Sequence, residues 1–82
     1  METEWLDRKM SVDEMEAANM LDGKAFGARN EEWEKLKSQM VEGDELWTFA
    51  SPAASWQDLG GRLGVSLVRH GQVISSLVTL MS

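Results

Sequence analysis

Cysteine is absent from this 82-residue chain, so neither a disulfide framework nor a thiolate metal site is available to it. A single histidine, His70, excludes a zinc site built on several imidazoles. No stretch approaches the ~18 consecutive apolar residues of a membrane-spanning helix, so no membrane partner is expected. The N-terminus opens Met1-Glu2-Thr3-Glu4, acidic where a secretory signal is basic and then apolar. The default expectation is a cytoplasmic protein. Positive charge is also scarce: 8 Lys and Arg stand against 14 Asp and Glu, and a net charge of -6 argues against a nucleic-acid partner.

The second half of the chain is short of charge of either sign. Residues 46–82 hold only Asp58, Arg62 and Arg69, whereas residues 1–45 hold 13 of the 14 acidic and 6 of the 8 basic residues, a local net of -7. A stretch so poor in charge is buried or is an interface. What the chain does have is apolar bulk. Four tryptophans, Trp5, Trp33, Trp47 and Trp56, each bury on the order of 200 Å² when packed, and six methionines add adaptable filler. The length fits one domain, 1–82, with residues 1–10 read as a flexible arm because Asp7-Arg8-Lys9 interrupts the pattern of Trp5, Leu6 and Met10.

Local signals place the elements. Ser11 and Glu14 have the spacing of a capping box, which starts a helix through Leu21 with Val12, Met15 and Ala18 on one side. Asp22-Gly23 stops it, and residues 22–29 read as loop. Asn30 is a candidate cap for a helix to Glu42, where Trp33, Leu36, Met40 and Val41 share a face and Gly43 suits a left-handed stop. The period then changes to two over Asp44–Ala50, with Leu46, Thr48 and Ala50 on one side and Trp47 and Phe49 on the other. Ser51-Pro52 begins a short helix, ended by Gly60-Gly61. From Val65 to Met81 two apolar runs flank His70-Gly71, the form of a tight hairpin turn. Direct pairing about that turn sets Val68 against Val73 and Leu67 against Ile74. It leaves Val68, Val73, Leu77 and Met81 together on one face. The last strand is the most apolar, which places it in the centre. The expected architecture is therefore α+β: two N-terminal helices, then a three-stranded antiparallel sheet of order 1-3-2, with a short helix between strands 1 and 2.

Residues 45–71 carry the pattern E-L-W-x-F-x-S-P-x-x-S-W-x-x-L-x-G-R-x-G-x-x-L-V-R-x-G. This segment resembles one found in a class of small uncharacterised bacterial proteins. The resemblance covers about the C-terminal half of the chain. It implies the hairpin, and it carries over no activity and no functional residue.

Nothing in the sequence marks a catalytic, cofactor-binding or metal site. Ser51, Ser55 and Arg62 form the best candidate for contact with an anion or a partner, since a helix start offers free N–H groups and an arginine can clamp a carboxylate or phosphate. The plainer reading is a helix cap with an Arg62–Asp58 ion pair. The glycines at 60, 61 and 64 run from helix to strand, opposite to a phosphate loop, and no G-x-S-x-G surrounds either serine. His70 reads as a turn residue that tolerates positive φ, in preference to a general base. The acidic residues lack the spacing of an EF-hand loop.

Two functional expectations follow, with a third behind them. The first is a non-enzymatic, self-associating protein-interaction module, with a homodimer or an unidentified protein as partner. It would use a strand edge or the less polar sheet face, with Trp47, Val68, Val73, Leu77 and Met81 as interface residues. The second is an acidic binder of a basic protein, in the manner of an immunity protein or antitoxin, motivated by the -7 of residues 1–45. The third is an anion-binding protein or small enzyme using Ser51, Ser55, Arg62 and His70.

Overall fold

The structure is a computed structural model that describes residues 5–57 and 60–81. Its frame is a four-stranded antiparallel sheet built from β1 (Leu6–Met10), β4 (Glu45–Ala50), β5 (Arg62–Arg69) and β6 (Gln72–Met81), in the order β1-β4-β5-β6. Between β1 and β4 lie helix α1 (Val12–Ala18), the small strand pair β2 (Met20–Leu21) and β3 (Lys24–Ala25), a 3-10 turn at Gly27–Arg29, and helix α2 (Asn30–Ser38). A five-residue helix, α3 (Ala53–Gln57), sits between β4 and β5.

This architecture corrects the expected one in three places. The three C-terminal strands form a simple meander, 1-2-3 instead of 1-3-2, so β6 lies at an edge and not in the centre. The reason lies in how the β4–β5 connection closes. Ser51 donates its N–H to the Arg62 carbonyl (2.9 Å), and the Arg62 N–H donates to Ser51 Oγ (2.9 Å). The ladder thus continues one step past the Ala50–Leu63 pair, and the connection is a long hairpin with a helical excursion instead of a crossover. The expected N-terminal arm contributes the fourth strand: β1 pairs with β4, from Leu6 opposite Phe49 to Met10 opposite Leu46. Residues 20–25, read as helix end and loop, form a two-stranded hairpin, with Asp22 and Gly23 at φ 52° and 80°.

The helix starts follow local chemistry. In α1 both halves of the capping box are made: Glu14 N–H donates to Ser11 Oγ at 3.1 Å, and Ser11 N–H to the Glu14 carboxylate at 3.0 Å. Asn30 is not the cap of α2 but its first residue. Its amide donates to the Ala25 carbonyl (2.9 Å) and ties the helix to β3.

The helices cover one face of the sheet. Met15, Trp33 and Leu36 from the helices, with Ala25 and Phe26, pack against Leu46, Val65, Leu67 and Leu77 of the strands. The Phe26 and Trp33 rings lie 4.7 Å apart. The Trp33 indole N–H donates to Glu16 at 2.9 Å, and Lys37 joins the same carboxylate at 2.7 Å. Alternation along β4 and β5 puts Phe49, Ser66 and Val68 on the opposite face. They are buried there too: 0%, 0% and 4% exposed. The centre of that second face is therefore buried within the single chain.

Register in the β5–β6 hairpin departs from direct pairing. Val68 does meet Val73, but Leu67 meets Ser75 and not Ile74. Ile74 is an extra residue in β6, and Thr79 is a second one, between Val78 opposite Gly64 and Leu80 opposite Leu63. A one-residue shift turns a side chain to the other face. Leu77 therefore joins the helix-covered core, where sequence alternation put it with Val68 and Val73.

Candidate functional site

Ser51 and Arg62 are brought together, as the sequence suggested, but to close the β4–β5 connection. The Ser51 hydroxyl accepts from the Arg62 backbone and is buried, while the Arg62 guanidinium donates to the Gly61 carbonyl at 3.0 Å. Ser55 falls within α3 with its side chain outside the described set, and Asp58, the expected partner of Arg62, lies outside the described residues. A five-residue helix has too few aligned peptide units to hold an anion at its N-terminus. His70 sits exposed at the hairpin tip with φ 52°, followed by Gly71 at 77°, the left-handed pair that a tight primed turn requires. Among the described residues no group of three or more His, Asp or Glu is placed to hold a metal ion. Among the described residues no helix is long and apolar enough to cross a membrane.

The expected interface residues do not form one surface. Trp47, Val68 and Val73 share the second sheet face, but Val68 is buried and Leu77 lies in the opposite core. The side chain of Met81 is outside the described set. Trp47 is half-buried, and its indole N–H donates to Glu45 at 3.0 Å while Lys9 pairs with the same carboxylate at 3.3 Å. These two partners hold the Glu45 carboxyl below its ordinary pKa, the indole bond contributing most.

A shallow hollow of about 450 Å³ opens beside this group, lined by Lys9, Met10, Glu14, Met40, Asp44 and Glu45 among others. Its polar groups are already engaged. Glu14 caps α1, Glu45 holds Trp47 and Lys9, and Asp44 is gripped by Arg69 through two bonds of 2.8 Å. The Asp44 side chain is 1% exposed, also accepts the Val41 N–H, and is pulled down to about 2 chiefly by the Arg69 guanidinium. This cluster fixes the β4 entrance to the β5–β6 hairpin and leaves no converging acid, base and nucleophile.

Exposed apolar side chains lie at Met20, Leu21 and Val41 and also along the β5–β6 side of the sheet. Among the described residues β6 pairs with β5 alone. Its Ile74 is 42% and its Leu80 54% exposed, and Leu63, opposite Leu80, is 38% exposed. Thr79 of β6 also borders a second hollow of about 310 Å³ with Leu21, Phe26 and Ala28, so the exposed tip of the β2–β3 hairpin adjoins the same end of the edge. The two edges of the sheet differ in charge. β1 carries Asp7, Arg8 and Lys9, all exposed, whereas residues 70–82 contain no Asp, Glu, Lys or Arg. Charges on an edge strand are a common guard against pairing with another chain, and β6 lacks them. Sequence reasoning named a strand edge as one option but missed Ile74 and Leu80. The contrast between Asp7-Arg8-Lys9 and the charge-free last 13 residues was the available signal, usable only once both segments are known to be edges. No family model, no curated protein and no solved structure matches this chain.

Proposed function

We propose that this chain is a protein-interaction module, not an enzyme, and that it works by adding a strand to its sheet at β6. The observation that carries the reading is the unguarded edge: ten residues of β6, uncharged and, among the described residues, paired on one side only, with Ile74 and Leu80 exposed on it and Leu63 exposed on neighbouring β5. Strand addition supplies main-chain hydrogen bonds for affinity and side-chain contacts for choice of partner. Self-association is the simplest form of this activity.

The acidic surface supports a second reading. Asp13, Glu31, Glu32 and Glu42 are exposed on or beside the helices, on the far side of the core from the second sheet face, and would attract a cationic protein. Salt separates the two. Two copies carrying -6 each repel at low ionic strength, so self-association through an uncharged edge should tighten as salt rises, while capture of a cation should weaken. Sedimentation equilibrium of the full chain from micromolar to near-millimolar, in low and high salt, is the test. The expected result is a mass that climbs above 9.2 kDa with concentration, more readily at high salt. A 9.2 kDa species throughout would overturn self-association.

A further inference from the structure

Asp22-Gly23 is the one place in the chain where Asp or Asn is followed by Gly. The pair makes the turn between β2 and β3, with φ 52° and 80°, and both residues are exposed. We propose that this turn is a site of covalent modification. In the folded chain the Asp22 carboxyl closes on the Gly23 nitrogen, and the link between the two residues migrates to give isoaspartate. The proposal is independent of the β6 edge.

The surroundings of both reacting groups favour it. Glycine has no side chain to shield its nitrogen, and a β-carbon built at Gly23 meets nothing within 4 Å. Among the described residues, neither the Asp22 carboxylate nor the Gly23 N–H is held by a hydrogen bond or an ion pair. Neither group has a partner to give up. The strands on either side have two residues each, paired as Met20–Ala25 and Leu21–Lys24. A ladder this short opens at little cost, which allows the rotation about the Asp22 backbone that ring closure needs. Other aspartates lack this combination. Asp44 is 1% exposed and gripped by Arg69, while Asp7 and Asp13 precede Arg8 and Glu14, whose side chains crowd the nitrogen.

The step balances with water alone. The Gly23 nitrogen bonds to Asp22 Cγ, and a carboxyl oxygen leaves as water with the carboxyl and amide protons. The product is a cyclic imide. Water then adds to the Asp22 main-chain carbonyl carbon and breaks its bond to the Gly23 nitrogen. The chain now runs through Cβ and Cγ, a carboxylate remains on Cα, and mass and charge are unchanged. The turn is one backbone atom longer. Leu21, next to the turn, lies directly over Gly27, where a built β-carbon comes to 2.8 Å from its Cδ2. It also walls the 310 Å³ hollow with Phe26, Arg29 and Thr79. Lengthening the turn breaks the Leu21–Lys24 register and moves that wall.

The test is to age the full chain at physiological temperature and near-neutral pH, beside a sample held unfolded in urea. Each is then digested with trypsin and probed with protein isoaspartyl methyltransferase and labelled S-adenosylmethionine. The expected result in the folded sample is a second peptide 10–24 of equal mass and different retention, which accepts methyl groups and grows with time. Asp22→Glu and Gly23→Ala should lose most of that acceptance. A single unmodified peptide in the folded sample overturns the proposal, whether or not the urea sample reacts. Methyl acceptance that persists in Asp22→Glu places the reaction elsewhere and also overturns it. In the purified isomer, the amide resonances of Leu21 and Gly27 should shift; unchanged resonances overturn the link to the hollow.

Discussion

At the scale of single residues, Gly64 is the position with least room. A β-carbon built there collides with the Leu77 carbonyl and comes to 3.0 Å from the Phe49 ring. The contact is with backbone, which cannot swing aside, so the sheet must shift. Gly64→Ala should therefore cost about 1–3 kcal/mol, read as a lower urea midpoint at unchanged slope. No change in midpoint would mean that β5 and β6 are less closely fitted than described. Ile74 makes the complementary point. It looks like a core residue in any alternating pattern, yet it is the extra residue of a bulge and stands 42% exposed. Hydrophobicity alone reports that a side chain favours burial; its position relative to a bulge decides whether the chain grants it.

At the scale of elements, the β5–β6 hairpin is clamped to the segment before β4 by one ion pair. Arg69, the last residue of β5, holds Asp44 by two bonds and also donates to the Gln39 carbonyl at 3.1 Å. The Asp44 carboxyl falls from its ordinary 3.8 to about 2, with the Arg69 bonds as the main cause. Folding thus favours the ionised form. The clamp's contribution is complete above pH ~4 and is lost as pH drops towards 2. Urea midpoints measured from pH 7 down to 2 should fall across that window. Asp44→Asn should be less stable at pH 7 and should flatten the fall. A variant with an unchanged pH profile would place the acid sensitivity elsewhere. The helix starts are more self-contained, since the Ser11–Glu14 box lies within four residues and was legible from spacing alone.

For the whole molecule, self-association of the kind proposed would tie folding to concentration. If folded chains associate through β6 and unfolded ones do not, each tenfold rise in chain concentration should add about 1.4 kcal/mol to the apparent stability per dimer. Urea curves at several concentrations should then move to higher midpoints. Coincident curves would mean that the edge stays unpaired across the unfolding transition. The single chain already buries the centre of each sheet face, since Leu67 on one side and Phe49 on the other are each 0% exposed. Association through the proposed edge would be an added contact between folded units, and a folded monomer should persist when the edge is blocked.

The sequence by itself determined what depends on near neighbours. Ser11 with Glu14, the helix face of Trp33 and Leu36, and the His70-Gly71 turn each rest on spacings of a few residues, so each is visible in the string. Strand order was decided elsewhere, because a strand's partner is chosen by which distant segment meets its edge. Nothing in Asp7-Arg8-Lys9 announces a strand until β4 lies beside it. The face that Leu77 takes was likewise set by the bulge at Ile74, which forms only when β6 is fitted against β5. The candidate docking edge follows from both decisions: the residues were always uncharged, but only the fold sets them, among the described residues, at the end of the sheet with one strand neighbour.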